Sequence, residues 1–253
     1  MKRGLYCFSL LIAFVIVIAF SSWNLVSADL RDGLVLHVTF EEEEPMDSSP
    51  DPMEISVFAG DLGQDEGKVG KAGVFDNTVL EVTDAPKLSG MKALTIAAWM
   101  NTEKPTETSI VSKRNAQASG DTYNFFLWTG NRLSDRINNN GDFFSTTVFN
   151  TGEWYHVAFV FDGNDGSERI YVNGELDAET VKGEREVPET TSSLWIGELD
   201  SARGFQYSGL MDEVAIWNRA LDKDEIKLAM SGVKAAPVES QGKLATTWGD
   251  VRK

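Results

Sequence analysis

Apolar residues in this chain recur mostly at alternate positions in short runs, and turn-forming residues separate the runs. Residues 33–40 place Leu34, Leu36, Val38 and Phe40 on one face of a strand, with His37 and Thr39 on the other. Four glutamates, 41–44, then end it. Residues 93–100 set Leu94, Ile96, Ala98 and Met100 against Trp99 on the opposite face. Segments 109–113 and 122–129 continue the pattern, and 153–161 and 168–172 read as antiparallel neighbours across the turn at 162–166. Asn173-Gly174 is a favoured hairpin pair, because both residues tolerate positive φ. One helix is expected near the end. Asp222 caps it, Glu225 completes a capping box and Gly232 stops it. Its modest apolar face of Ile226, Leu228 and Ala229 predicts packing on the rim of a sheet. With no internal repeat, this order predicts an all-β fold: a two-sheet antiparallel sandwich with one short C-terminal helix.

The first 28 residues read differently. Lys2 and Arg3 precede an apolar run from Leu5 to Phe20, and Val26-Ser27-Ala28 supplies small residues before Asp29. That is the layout of a signal peptide cleaved after residue 28, with an uncleaved anchor as the competing reading. It implies a secreted, periplasmic or cell-surface protein with no membrane insertion after cleavage. The one cysteine, Cys7, lies in this segment, so the exported part must be held by its core rather than by disulfides. The net charge is −16, and losing Lys2 and Arg3 takes it to −18. Such a balance excludes nucleic acid as a partner, since phosphates demand clustered Lys and Arg. It suits a soluble exported protein, and it suits cations.

Four segments occur in a telling order: Trp154-Tyr155-His156-Val157-Ala158, Tyr171-Val172-Asn173-Gly174, Ser193-Leu194-Trp195-Ile196-Gly197, and residues 209–221 from Gly209 through Asp212 and Trp217 to Leu221. Residues 67–76, 94–99 and 110–113 precede them. Together they resemble the laminin-G-like branch of the concanavalin-A-like jelly rolls over residues 33–231. The resemblance implies a jelly-roll domain, placed at 29–232 with a tail at 233–253. It implies a recognition module more than an enzyme, with Trp99, Trp154, Trp195 and Trp217 in the core. It also implies a structural Ca2+ held by an acidic residue after the first strand and an Asp opening the last one. Those places are Glu41, with Glu42 or Asp47 as alternatives, and Asp212. Calcium takes about six to eight oxygens. Asp212 stands in an otherwise apolar strand, where an unpaired carboxylate would be costly. The competing reading has Asp212 accepting backbone hydrogen bonds or pairing with an arginine.

Some glucan-cleaving members of that superfamily carry Glu-x-Asp-x-x-Glu on one strand. Here Glu198 and Asp200 occupy the first two places and Arg203 the third, so Glu198 and Asp200 are expected to be solvated rim carboxylates. No hydrolase elbow, zinc helix or phosphate loop is present. His156 reads as a packed structural residue. Sugar recognition combines exposed aromatics with Asn, Asp and Arg. Tyr123, Trp128, Arg132, Arg136, Asn138 and Phe143, with Phe144, form the candidate ligand group. Alternation puts Tyr123 and Trp128 on opposite faces, so a regular strand presents only one of them to a ligand. Loops 114–121, 138–147 and 200–207 are further candidates. The expected function is non-catalytic binding of a glycan or an extracellular protein. A glycan-cleaving enzyme of the same superfamily and a purely structural surface protein are the alternatives.

Overall fold

A computed structural model describes residues 29–115, 120–138, 141–202 and 204–233. The predicted signal segment 1–28 and the tail beyond Val233 lie outside the described residues, as does Arg203. Two antiparallel sheets face each other. The seven-stranded sheet runs β10 (Phe143–Phe144), β9 (Arg132–Ile137), β8 (Gly120–Trp128), β7 (Thr108–Asn115), β14 (Leu194–Ile196), β5 (Val79–Val82) and β2 (Ile55–Ala59). The eight-stranded sheet runs β13 (Glu175–Val181), β12 (Ser167–Val172), β11 (Trp154–Asp162), β6 (Ala93–Thr102), β15 (Gly209–Trp217), β4 (Lys71–Phe75) and β3 (Gly63–Glu66), with β1 (Leu34–Val38) also paired to β15. The expected sandwich is the one formed. Asn173 and Gly174, at φ 51° and 76°, close the β12–β13 hairpin as their identity predicts.

Period-2 alternation fills the space between the sheets. Leu94, Ile96, Ala98 and Met100 of β6 meet Tyr123, Phe125 and Leu127 of β8 within one continuous core, and Phe125 lies 6.1 Å from Phe159 of β11. The outer face of the eight-stranded sheet is also sealed. There Ala97, Ala158, Val160, Ala215 and Trp217 are covered by Leu30, Leu221 and the helix α1 (Lys223–Ala229). Trp217 is fully buried and its Nε1 donates to Leu30 O at 2.7 Å, tying the start of the described chain to the last strand. The helix carries the predicted capping box, with Asp222 accepting from Asp224 N and Glu225 N.

Three expectations change. The helix packs across the sheet face rather than at its rim, through Ile226 and Ala229, while Leu228 is exposed. In β1 a register shift between Leu34 and Leu36 sends Leu34 to the outer cluster, and every residue of the strand is buried. His37, on the face opposite Leu36 and Val38, is also covered because its own sheet is sealed on both sides. Trp99, Trp195 and Trp217 are buried as expected, whereas Trp154 is only half-buried.

Candidate functional site: an aromatic cleft on the open sheet

Helix and N-terminal segment cover one outer face of the sandwich; among the described residues no helix covers the outer face of the seven-stranded sheet. The site is built there by alternation along β8. Tyr123, Phe125 and Leu127 point inward, so Asn124, Phe126 and Trp128 point out. Arg136 of β9 pairs across from Asn124, and Ser109 and Arg114 of β7 border the other side. The segment 198–207 folds over this edge and adds Leu199 and Phe205, completing a cleft.

The aromatic groups form one platform. Trp128 stacks on Phe205 with centroids 5.5 Å apart and planes 27° apart, and Phe126 meets Trp128 edge-on at 5.8 Å. The guanidinium carbon of Arg136 lies 5.6 Å over the Phe126 ring. Its Nε and Nη2 donate to Asp142 Oδ1 at 2.8 and 2.6 Å. Arg114 Nε lies 3.5 Å from Asp200 Oδ2. Ser109 Oγ donates to Asn124 Oδ1 at 3.0 Å, orienting that amide. Beneath these groups the hydroxyls of Ser112 and Ser134 are buried without a hydrogen-bond partner. The cleft holds about 60 Å³. A ligand larger than a few waters must therefore lie across the cleft by one face.

One carboxylate fixes the wall. Glu198 is fully buried, and its oxygens accept from Leu199 N at 2.8 Å, Phe205 N at 2.8 Å and Gly204 N at 3.1 Å. Ser109 N also donates to Phe205 O at 2.8 Å. The expectation of solvated rim carboxylates is therefore corrected. Glu198 is spent on backbone amides, and Asp200, 7% exposed, caps Ala202 N and faces Arg114.

The predicted ligand residues separate. Trp128 and Arg136 come together in the cleft. Tyr123 does not join them: it is fully buried between the sheets, and burial raises its hydroxyl pKa well above the ordinary value. Arg132 and Asn138 are exposed at opposite ends of β9, outside the cleft lining. Phe143 is half-buried against the inter-sheet core with Lys182 Nζ 5.9 Å from its ring, while Phe144 is exposed. Asn124 and Phe126 were missed, though they share the parity of Trp128 and were legible from it. Arg114, Leu199 and Phe205 carry no local signal. Phe205 reaches the platform only because Glu198 gathers its loop.

The candidate calcium residues sit on the far side, around the 67–71 turn. Asp212 and Glu213 straddle a β-bulge at which Glu213 takes φ 51°. His37 Nε2 and Glu213 Oε2 lie 2.8 Å apart. Asp212 Oδ2 accepts from Lys68 N at 2.9 Å and Val69 N at 2.8 Å, the hydrogen-bonding role weighed against a metal. A Cβ at Gly67 would stand 2.6 Å from that oxygen, so the turn requires glycine there. Burial is the main cause pushing the Asp212 pKa up to about 7, and Asp212 Oδ1 is buried without a partner. Glu41 is exposed and accepts from Lys71 N at 3.0 Å. Asp47 is occupied by His37 N, Ser49 and Met53 N. Among the described residues no three His, Cys, Asp or Glu side chains form a metal-holding group. Of the candidate calcium residues, Asp212 keeps one oxygen, Oδ1, buried without a partner, and backbone carbonyls would have to supply most other oxygens of a cation site.

The model of the concanavalin A-like lectin/glucanases superfamily matches residues 75–227. Among curated proteins, human adhesion G-protein coupled receptor D1 is 38% identical over 78 residues, covering 30% of this chain and 9% of the receptor. Mouse pentraxin-related protein PTX3 is 31% identical over 113 residues, covering 41% of this chain and 28% of that protein. The chain therefore spans well under a third of either relative. Among solved structures, domain 4 of AbnA, an extracellular arabinanase of Geobacillus stearothermophilus seen in complex with arabinotriose, superposes with a TM-score of 0.62 at 22% identity. It covers 77% of this chain and 96% of that one. At that identity the likeness concerns the fold alone.

Proposed function

The chain belongs to the concanavalin A-like lectin/glucanases superfamily, and from that premise we propose that it is an exported, non-catalytic module that binds carbohydrate on the open face of its seven-stranded sheet. One observation carries the reading. The half-buried rings of Trp128 and Phe205 stack beside Arg114 and Arg136, backed by the buried Phe126 and Asn124, on an outer face that no helix covers among the described residues. Aromatic faces stack on the C–H faces of sugar rings, and fixed polar groups select their hydroxyls. The likeness in fold to the binding domain of a mosquitocidal toxin and to a putative carbohydrate binding protein from Bacteroides ovatus (TM-score 0.55) supports the same reading. Export is supported by the pattern of residues 1–28.

The absence of catalysis is supported by how Glu198 is used. Its carboxylate is buried and held by three backbone N–H groups, so it is poorly placed to protonate or attack a glycosidic bond. A structural calcium at Asp212, with Glu41 holding Lys71 N of the turn that Asp212 also holds, belongs to this proposal on the strength of the unpartnered Asp212 Oδ1. Equal melting temperatures in calcium and in chelator would refute that part.

A glycan-array screen of the purified protein, alongside Trp128→Ala and Phe205→Ala, tests the main reading. Selective binding weakened about tenfold or more in both variants, equivalent to ~1.4 kcal/mol, supports it. Binding unaffected by either variant places the site elsewhere. No glycan binding turns the search to an extracellular protein partner.

A further inference from the structure

Two guanidinium groups line the cleft, and each already carries a carboxylate. Arg136 is held by Asp142 through two of its nitrogens, at 2.8 and 2.6 Å, while its plane rests over Phe126. Arg114 stands 3.5 Å from the nearly buried carboxylate of Asp200. A site for an anionic sugar presents its arginines to the ligand, because the planar fork matches a carboxylate or phosphate in a bidentate contact. Here that capacity is partly consumed within the protein. An incoming carboxylate would also meet Asp142 and Asp200, on a chain whose net charge is −16.

The remaining polar groups point the same way. Asn124 offers both donor and acceptor atoms, and Ser109 Oγ holds it in place. Sugar hydroxyls donate as well as accept, and so do amide and serine groups. A carboxylate only accepts. A carboxylate beside an arginine supplies an acceptor and donors to neighbouring hydroxyls without net charge.

We infer, on the reading of this cleft as a glycan platform, that it takes neutral sugars and rejects uronic and sialic acids, because Asp142 and Asp200 neutralise Arg136 and Arg114. One sugar ring rests against the stacked Trp128–Phe205 pair, and its hydroxyls reach the two ion pairs.

Titration calorimetry on the purified protein tests this with neutral probes (arabinotriose, cellotriose, galactotriose and lactose) and acidic ones (trigalacturonate and sialyllactose). At least one neutral probe should bind about tenfold tighter than either acidic probe. Its affinity should change by less than about twofold between about 50 mM and about 500 mM salt, since no net charge is screened. Asp142→Asn uncovers the Arg136 charge and should raise affinity for trigalacturonate or sialyllactose by about tenfold with the melting temperature little changed. Preferential, salt-weakened binding of an acidic probe to the parent protein overturns this inference and leaves the glycan reading standing. An unchanged preference in a folded Asp142→Asn variant also overturns it, by removing its cause. Binding of no probe of either class overturns both.

Discussion

Removing the charge of Glu198 is expected to loosen the wall of the cleft and to cost global stability. Its carboxylate is fully buried and accepts three backbone N–H groups, two on Oε1 and one on Oε2. In Glu198→Gln the carbonyl can still receive Leu199 N and Phe205 N, now without charge. The new amide N–H2 faces the Gly204 N–H, a donor against a donor. Hydrogen bonds to a charged group are worth ~1.5–3 kcal/mol and neutral ones ~0.5–1.5 kcal/mol. Weakening two and losing one sums to ~3.5–6 kcal/mol, and relaxation of the loop into water brings the expected cost down to ~2–4 kcal/mol. Urea unfolding followed by tryptophan fluorescence reads this directly. With a slope of ~2–3 kcal/mol per molar for a domain of this size, the midpoint should fall by about 1 M at unchanged slope. A midpoint within ~0.5 kcal/mol of the parent, the usual result for a solvated surface carboxylate, would refute the buried-staple argument.

Tyr123→Phe should leave stability within ~0.5 kcal/mol or raise it slightly, because the buried hydroxyl has no partner, and glycan binding should be unchanged; a large affinity loss by calorimetry would return Tyr123 to the site. Burial pushes the His156 pKa down to about 3, below its unfolded value near 6.5, so the unfolded chain takes up a proton that the fold refuses. This contribution is fully present above about pH 6.5 and is lost as pH falls towards about 3, and His156→Leu should flatten that part of a stability-versus-pH curve measured by urea melts. Asp222→Ala removes both accepting contacts of the capping box and should cost ~1 kcal/mol, seen as a lower melting temperature with the sheet signal in circular dichroism retained.

Much of the fold was legible because its signals are local. Alternation along β6, β8 and β11, the Asn173-Gly174 turn and the Asp222–Glu225 cap each depend on residues a few places apart. Alternation also separated Tyr123 from Trp128 correctly, but it could not say which of them faced the core. That choice is made by the opposing sheet: Phe125 meets Phe159, thirty-four positions later in the chain. The same holds for the helix, whose apolar residues were read but whose site on the sheet face depends on where Trp217 and Leu30 meet.

The site divides along the same line. The sequence by itself determined a jelly-roll architecture, the opposite facing of Tyr123 and Trp128, and a net charge of −16. Only the tertiary structure decided that the eight-stranded sheet is sealed on its outer face and the seven-stranded one open, that Glu198 lies buried, and that Phe205 joins Trp128. The physical reason is that sequence spacing sets which side chains share a face, while burial and partnership are properties of surfaces assembled from distant segments. Arg114 with Asp200, Arg136 with Asp142 and Trp128 with Phe205 become neighbours only once the strands are in register and the 198–207 segment folds back over them.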